Sequence, residues 1–408
     1  MNFISYIVTI LLFIGTCFLA YLGWHVEGNN VNFISSFYPS FFILLFSHIF
    51  FNINSPKYKK INRNNTIFII FSIIYFIFFK IITNRTVPTM LLFNSICLPI
   101  LYASFFSYFS KITHQRKIKR LIIVLFILNS LIAIYERFTL QNLFSLNLAY
   151  TDSDFSIESD MYADLFRSTA LLGHPLTNAL ITAIIMGFIL ISNIKTTSKY
   201  TLYILGFIAL MCFNARASIL LSGLSFIVYI LRTIFKKNIK SSTKILNFAF
   251  VIISVVIIFY LFNEGYGGRF FEKDDISEDS SILARIEVWG ILTNCTLNDI
   301  LWGSADVTKL AMKTLGYVHI ENWLILSVLM GGLVITIIAI IVLIPNFKYH
   351  LKNYTLFEKL LLLSICLGIA STNNSLACGV PALSVFIVCA YAFKKTNVSN
   401  KHSINTYK

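Results

Sequence analysis

The feature that most constrains this sequence is a series of long apolar stretches that repeats along almost its whole length. About twelve stretches approach the roughly 20 apolar residues that one helix needs to cross a hydrocarbon core about 30 Å thick. They begin near residues 3, 32, 66, 88, 121, 169, 200, 216, 245, 321, 359 and 376. Because 57% of the residues are hydrophobic and only 12% are charged, lipid must be the main solvent of this chain. The sequence therefore predicts an all-α polytopic membrane protein of about twelve transmembrane helices, in which residues 1–408 form a single transmembrane domain.

The basic residues are concentrated in short segments between the apolar stretches. Six segments hold 23 of the 33 Lys and Arg residues and a single carboxylate, that of Glu358. They are residues 55–65, 111–120, 193–199, 232–244, 346–359 and 394–408. Cytoplasmic loops carry such an excess of Lys and Arg, so the pattern predicts that both termini lie in the cytoplasm. The net charge of +15 is divided among these loops instead of forming one basic stripe, which excludes nucleic acid as a partner.

Two of the predicted external loops are long, residues 139–168 and residues 263–320. The second loop lies between helices 9 and 10 and is far longer than an ordinary connection, which favours a functional segment. Within it, apolar side chains recur at helical spacing over residues 281–292. This spacing predicts a short helix that lies against the membrane surface or the helix bundle.

Few ionisable residues lie at the ends of the predicted spans, where they could take part in a reaction at the membrane surface. Arg167, Arg216, Arg285, His319 and Glu321 all fall at the predicted external face. An ionisable group at membrane depth costs at least about 2.5 kcal/mol, so one that is retained usually faces a cavity or a partner. Three arginines that converge on one face would bind a phosphate or pyrophosphate, because the guanidinium group matches phosphate oxygens bidentately.

Each of these residues also has a simpler interpretation. Arginines at helix ends commonly extend to lipid phosphates, and Glu321 suits an ordinary interfacial carboxylate ahead of an apolar span. His174 directly precedes Pro175, which favours a helix kink with a satisfied imidazole. Gly331 and Gly332 favour a point of close helix packing. Position alone leaves both interpretations open.

Four short motifs follow one another in the second half of the chain. They are Arg167 with Gly173, His174, Pro175 and Asn178; Arg216 within the sequence NARAS; Arg285 with Trp289 and Gly303; and Asn322 with Gly332. In this order, and on the predicted external side, they resemble the motifs of the O-antigen polymerase and ligase superfamily of bacterial envelope glycosyltransferases. The position of the ligase-type histidine is occupied by Glu321, and the nearest histidine, His319, stands two residues earlier. This departure favours the polymerases of the superfamily over the ligases.

The resemblance implies an architecture like that of the GT-C glycosyltransferases in the bacterial inner membrane, with both long loops in the periplasm. It implies that a growing glycan is transferred from undecaprenyl pyrophosphate to a hydroxyl of a second lipid-linked repeat unit, with no metal or other cofactor. The product would be O-antigen of lipopolysaccharide or a related surface polysaccharide, and a chain-length regulator protein would be a partner.

The same resemblance suggests roles for individual residues. Arg167, Arg216 and Arg285 would hold the pyrophosphates of donor and acceptor, with His174 and Asn322 also in the substrate-binding set. Glu321 is the expected general base, His319 is the alternative, and Asn322 would position the base. Two other functions remain open, an O-antigen ligase that transfers glycan to the lipid A core and a non-enzymatic flippase for the lipid-linked oligosaccharide.

Overall fold

The computed structural model describes most of the helical regions of the chain. The described residues are 2–15, 18–19, 22–24, 34–79, 89–109, 111–143, 166–235, 288–315, 320, 322–372, 376 and 381–394, with isolated positions between 245 and 263. Within these ranges every regular element is helical, as the sequence predicts.

The described helices are short to medium in length, and the longest contains 28 residues. They are α1 (Asn2–Leu11), α2 (Pro39–Asn54), α3 (Pro56–Ile61), α4 (Arg63–Ile77), α5 (Leu98–Tyr108), α6 (Ile112–Thr139), α7 (Pro175–Ile191), α8 (Thr196–Cys212), α9 (Arg216–Ile234), α10 (Leu297–Trp302), α11 (Ala305–Leu315), α12 (Trp323–Gly331), α13 (Leu333–His350), α14 (Leu356–Ala370) and α15 (Ala382–Ala392). A π-helical segment, Met90–Cys97, leads directly into α5, and a 3-10 helix, Val288–Asn294, precedes α10.

Four of the described helices are long and apolar enough to cross a membrane: the continuous helix Leu91–Tyr108, α6, α9 and α13. Five further apolar helices contain 10–17 residues, namely α1, α2, α4, α7 and α15. All of them coincide with apolar stretches of the sequence, so the chain is an α-helical membrane protein. The total of about twelve spans stays a prediction.

Helix α6 shows how lipid acts as the solvent of this bundle. Its residues Val124, Leu128, Leu131, Tyr135 and Phe138 recur every three or four positions, and each is between 46% and 82% exposed. Such spacing places these side chains on one face of the helix. A continuous apolar stripe of this kind would be a liability in water, whereas here it faces acyl chains.

Polar contacts join several helix termini at one end of the bundle. The Nε2 atom of His114, at the start of α6, lies 2.7 Å from the hydroxyl of Ser5 in α1. The Nδ1 atom of the same imidazole lies 2.7 Å from the hydroxyl of Tyr391, at the end of α15. The first residues of the chain and the end of α15 therefore lie together. We call this the lysine end, because it includes the basic segments 55–65, 111–120 and 346–359.

The opposite end of the bundle contains the end of α6, the starts of α7, α9 and α13, and the end of α8; we call it the arginine end. Helix α7 begins here and occupies the centre of the structure, with 16 of its 17 residues buried. A helix that is apolar on every side must be surrounded by other helices. Accordingly, α7 packs against α8, α9, α14 and α15. Residues at the first turn of α7 are thereby held at the centre of the arginine end.

The stretch predicted as one span from residue 321 is divided at Gly332. Gly332 has a φ of +90°, which glycine adopts readily and other residues do not. Helix α12 on one side has only 9 residues and a length of about 13 Å, too short to cross a membrane. Helix α13 on the other side has 18 residues and ends at His350. The membrane-crossing part of this stretch therefore begins at α13.

Two smaller sequence predictions also differ from the structure. The prediction of a helix kink at His174 is wrong: this residue caps the start of α7, and Pro175 occupies the first helical position. A proline is well suited to that position, since its missing N–H would have no helical partner there. Of the short helix predicted over residues 281–292, the described part begins at Val288 and is a 3-10 helix; residues 281–287 lie outside the described residues.

Candidate functional site

A non-helical segment, Phe166–His174, leads into the start of α7 at the arginine end. Its backbone is deeply placed, with Ser168 and Ala170 both 0% exposed. Non-helical backbone at membrane depth is tolerated only where the protein supplies hydrogen-bond partners for its N–H and C=O groups. The partners of this segment therefore define how the candidate site is held.

The central partner is Glu136, in the last turn of α6, which is 0% exposed. Its Oε2 atom accepts hydrogen bonds of 2.8 Å from the N–H groups of both Thr169 and Ala170. Its Oε1 atom accepts a bond of 2.9 Å from the N–H of Leu143. Ala170 has a φ of +39°, a left-handed conformation that costs about 1–2 kcal/mol outside glycine. The carboxylate therefore stabilises a backbone shape that the segment would not adopt alone.

Further polar groups bind the segment on its other sides. The Oδ1 atom of Asn129 accepts a hydrogen bond of 3.2 Å from the N–H of Leu171. The hydroxyl of Ser168 donates to the carbonyl of Ala133 at 2.8 Å, and its N–H donates to the carbonyl of Cys212 at 3.0 Å. Helices α6 and α8 are thus both tied to this one segment.

The residues that follow α1 approach this segment so closely that the two backbones are in direct contact. The N–H of Gly15 donates to the carbonyl of Leu171 at 3.0 Å. A Cβ atom at Gly15 would come closer than 3.0 Å to the backbone of Leu172. Glycine is therefore required at position 15 by the closeness of the two backbones.

Arg167 connects the segment to the turn between α8 and α9. Its Nε atom donates to the carbonyl of Phe213 at 3.4 Å, and Arg216 follows three residues later as the first residue of α9. The structure therefore places Arg167 beside the turn that leads to Arg216. Arg137, which the sequence analysis did not single out, is the third described arginine here: it is 7% exposed and donates to the carbonyl of Phe166 at 3.4 Å.

His174 and Asn178 complete this part of the site. The Nδ1 atom of His174 accepts a hydrogen bond of 3.4 Å from the N–H of Thr177, which makes the imidazole the N-terminal cap of α7. Asn178 donates from Nδ2 to the carbonyls of His174, at 3.1 Å, and of Thr169. Both side chains therefore fix the entry of the segment into α7. The substrate-binding role suggested for His174 stays a prediction.

A second cluster is formed by two glycines of different motifs. Gly303, which ends α10, has a φ of +66°, and Gly332 has a φ of +90°. A Cβ atom on Gly303 would lie closer than 3.0 Å to the backbone of Gly332 and Gly331, and one on Gly332 would equally overlap Trp302. The turn after α10 and the break before α13 are therefore in direct backbone contact.

Hydrogen bonds reinforce this glycine contact. The N–H of Ser304 donates to the carbonyl of Leu329 at 2.8 Å. The hydroxyl of Tyr75, near the end of α4, lies 2.8 Å from the carbonyl of Gly331 and 3.2 Å from that of Trp302. One phenol thus reaches both sides of the contact.

Asn322 caps the short helix that leads into the break. Its Oδ1 atom accepts hydrogen bonds from the N–H groups of Leu324 and Ile325, at 3.0 and 3.2 Å. Arg285, His319 and Glu321 lie outside the described residues. The roles suggested for all four of these motif residues stay predictions.

The four motifs of the sequence therefore form two pairs. The Arg167 motif contacts the Arg216 turn, and Gly303 of the third motif contacts Gly332 of the fourth. Glu136 was missed, although a carboxylate that follows a long apolar run was a signal for it. The fold and these contacts describe an α-helical membrane protein with a polar, non-helical centre at one end. No protein-family model, curated protein or solved structure matches the chain.

Proposed function

We propose that this chain is a glycosyltransferase of the bacterial inner membrane that polymerises lipid-linked oligosaccharide repeat units into O-antigen or a related surface polysaccharide. Donor and acceptor would both be oligosaccharides linked to undecaprenyl pyrophosphate. The observation that carries the proposal is the hydrogen bond from Arg167 to Phe213, in the turn that precedes Arg216. It joins two arginine motifs that stand apart in the sequence.

The position of Arg216 supports an anionic ligand at this turn. Arg216 is the first residue of α9, and Ala215 before it provides no side-chain cap. The N-terminal N–H groups of α9 carry partial positive charge and lie beside the guanidinium group of Arg216, and both kinds of group favour an anion. A pyrophosphate would satisfy both the N–H groups and the guanidinium groups. Glu136 does not take this role, because both its oxygens accept backbone N–H groups.

The chemistry assigned to the site is one displacement at an anomeric carbon. The acceptor hydroxyl oxygen forms a bond to the anomeric carbon of the donor glycan while the bond from that carbon to the pyrophosphate oxygen breaks. Undecaprenyl pyrophosphate leaves with the electron pair, and Arg167, Arg216 and Arg285 stabilise the developing charge. The proton of the hydroxyl goes to Glu321 or, as the alternative, to His319, with Asn322 holding the start of α12 beside the base.

The proposal also assigns the two ends of the bundle to the two sides of the membrane. The lysine end contains three basic segments that together hold 12 Lys and Arg residues, and such segments remain in the cytoplasm. The arginine end then faces the periplasm, where lipid-linked repeat units are presented after their transfer across the membrane. A chain-length regulator protein is the expected partner on that side.

The test compares two arginine exchanges with a matched control. Arg167→Lys and Arg216→Lys together keep the charge but remove the bidentate guanidinium groups. Introduced into a deletion strain of the source bacterium, this variant should give single-repeat glycan on gels while its membrane level stays that of wild type. The control is Arg232→Lys at the other end of α9, where the guanidinium group stacks 3.8 Å from the ring of Phe357. It should give full-length ladders. Wild-type ladders from the double variant would overturn the assignment of these arginines.

The deletion strain itself separates the proposed function from its rivals. Loss of a polymerase leaves one repeat attached to the lipid A core, loss of a ligase removes all attached glycan, and loss of a flippase leaves the lipid-linked unit unattached in the cytoplasmic leaflet. Glu321→Gln then tests the general base. A normal ladder from that variant would remove Glu321 from the mechanism.

A further inference from the structure

A groove lies at the lysine end of the bundle, between α4, α5 and α13. It has a volume of about 600 Å³, within the range of about 300–1,000 Å³ that small-molecule sites occupy. It is far from the arginine motifs along α13, which runs from the glycine break to the lysine end. The proposed polymerase function does not use this groove.

Most of the groove wall is apolar and open to the membrane. Ile67 and Phe71 of α4 line it on one side, and Ile338 and Ile341 of α13 line it on the other. Ile67 is 54% exposed and Ile341 is 60% exposed, so the groove opens on the lipid-facing surface. An apolar groove in that position suits a hydrocarbon chain better than it suits a soluble polar molecule.

The inner part of the groove is closed by a network of amide side chains. Asn65 of α4 and Asn346 of α13 exchange two hydrogen bonds, of 3.0 and 2.9 Å. Asn65 also donates to the hydroxyl of Ser104 at 2.8 Å, and Asn62 donates to that of Ser107 at 3.1 Å. These bonds connect α4, α5 and α13 and give the groove a fixed width at this depth.

Pro345 adds a polar acceptor to the same wall. It stands inside α13, where a proline cannot donate the helical hydrogen bond to the carbonyl four residues earlier. That carbonyl belongs to Ile341, and both residues line the groove. The proline therefore leaves one backbone acceptor of the wall without its usual helical donor.

Basic residues surround the mouth of the groove. Lys60 is in α3, Arg63 is the first residue of α4 and Lys348 is in the last turn of α13, and all three are exposed. Lys352 lies with its ammonium group 4.7 Å from the ring of Tyr349, and Tyr349 is part of the groove lining. No acidic residue occurs in residues 52–66 or 344–355. The mouth is therefore positively charged and complements an anionic headgroup.

We propose that this groove binds one anionic glycerophospholipid, with an acyl chain between α4 and α13 and the headgroup phosphate at the lysine-rich mouth. The apolar walls match the acyl chain and the positive rim matches the headgroup phosphate, while the amide network fixes the width of the groove. The site is separate from the pyrophosphate site of the proposed function. It therefore holds or fails independently of that function.

The experiment uses purified full-length protein, freed of lipid in detergent, and phosphatidylglycerol that carries a photoactivatable diazirine on one acyl chain. Cross-linked peptides are mapped by mass spectrometry. We expect labelling of α4 and α13 at Phe71, Ile338 or Ile341, reduced by unlabelled phosphatidylglycerol but not by phosphatidylcholine or inorganic phosphate. Equal competition by phosphatidylcholine would overturn the anionic preference, and full competition by inorganic phosphate would identify a free anion as the ligand instead of a lipid.

Two variants separate this site from general attraction to a basic surface. Lys348→Gln with Lys352→Gln should reduce labelling by roughly tenfold, because each cation near an anionic lipid strengthens binding severalfold. The matched control, Lys117→Gln with Arg120→Gln, removes the same charge from exposed positions in the first turns of α6 and should leave labelling unchanged. Equal loss in both would overturn the proposal. Ile341→Trp keeps every charge but fills the groove, so it should abolish the α4 and α13 cross-links; if they persist, the acyl chain lies elsewhere.

Discussion

Two interruptions of regular helix lie at the arginine end of this protein, and they are stabilised in opposite ways. The segment Phe166–His174 is held by side chains that accept its N–H groups, above all by the buried carboxylate of Glu136. The break at Gly332 is held by the absence of side chains, because its backbone rests directly on that of Gly303. The first interruption therefore depends on charge and hydrogen bonding, and the second depends on volume.

This difference bears on what each region can contribute to a reaction. A segment fixed by a carboxylate places Arg167 beside the Arg216 turn while the N–H groups of Thr169 and Ala170 stay satisfied. A break fixed by glycine contact sets the depth at which α12 ends and α13 begins. In the proposed polymerase, the first region would hold pyrophosphate, and the second would fix the helix that starts beside the general base.

The largest effect is expected from Glu136→Leu. It removes the acceptor of three backbone N–H groups, and each buried N–H left without a partner costs about 1–3 kcal/mol. The variant should fail to accumulate as folded protein, as measured by its monodispersity and melting temperature in detergent. The matched control is Glu358→Leu, which removes the capping hydrogen bond to the N–H of Thr355; loss of that cap should destabilise by about 1 kcal/mol. Equal losses in the two variants would contradict the central role of Glu136.

The second largest loss of stability is expected at the Gly332 break, where it should depend on the volume of the added side chain. Gly332→Ala places a Cβ atom against the backbone of Trp302 at a residue whose φ is +90°, and such strain with overpacking costs about 2–5 kcal/mol. Its melting temperature in detergent should fall by several degrees or more. Gly290→Ala is the control, since a Cβ atom there meets nothing within 4 Å. A Gly332→Ala protein as stable as Gly290→Ala would show that the two glycines are not in contact.

A smaller effect is expected where a single cap is removed. Asn322→Ala deletes the acceptor of the Leu324 and Ile325 N–H groups, and loss of such a cap costs about 1 kcal/mol. Asn322→Asp keeps an acceptor in the same place and should restore the melting temperature. If Asp restores stability but not the glycan ladder, Asn322 has a role beyond capping; if neither variant alters stability, the cap is not formed.

The two interruptions also mark the limits of what the sequence predicts. The apolar stretches predicted the described membrane helices well, although α6 begins at Ile112 instead of near residue 121, because its first turns are basic and extend beyond the apolar run. The break at Gly332 was missed because the apolar run continues through it, and one glycine changes helix propensity by only about 1 kcal/mol. Gly331 and Gly332 did indicate a point of close packing, which the backbone contact confirms, but the identity of the partner, Gly303, depends on tertiary packing that no local pattern reveals.

Glu136 was predictable in part. A carboxylate after a long apolar run indicates a functional or structural site, but its partners at Thr169 and Ala170 lie 33 and 34 residues further along the chain. The convergence of Arg167 with the Arg216 turn was expected from their shared side of the membrane. Of the two interpretations of His174, the helix kink is wrong, because Pro175 begins a helix instead of interrupting one.

The smallest change in stability is expected for Arg167→Lys. This variant tests directly whether Arg167 binds pyrophosphate or only supports the segment Phe166–His174. Its bond to the carbonyl of Phe213 is long, at 3.4 Å, so its loss should alter the free energy of unfolding by no more than about 1 kcal/mol. Lysine keeps the charge but cannot bind a phosphate bidentately, so glycan length should fall although the melting temperature hardly changes. Arg137→Lys is the contrasting exchange, because that side chain is only 7% exposed and bonds to the carbonyl of Phe166. It should lower the melting temperature more than Arg167→Lys does. If the order of the two is reversed, Arg167 belongs to the scaffold that Glu136 organises, and the pyrophosphate site must be sought elsewhere.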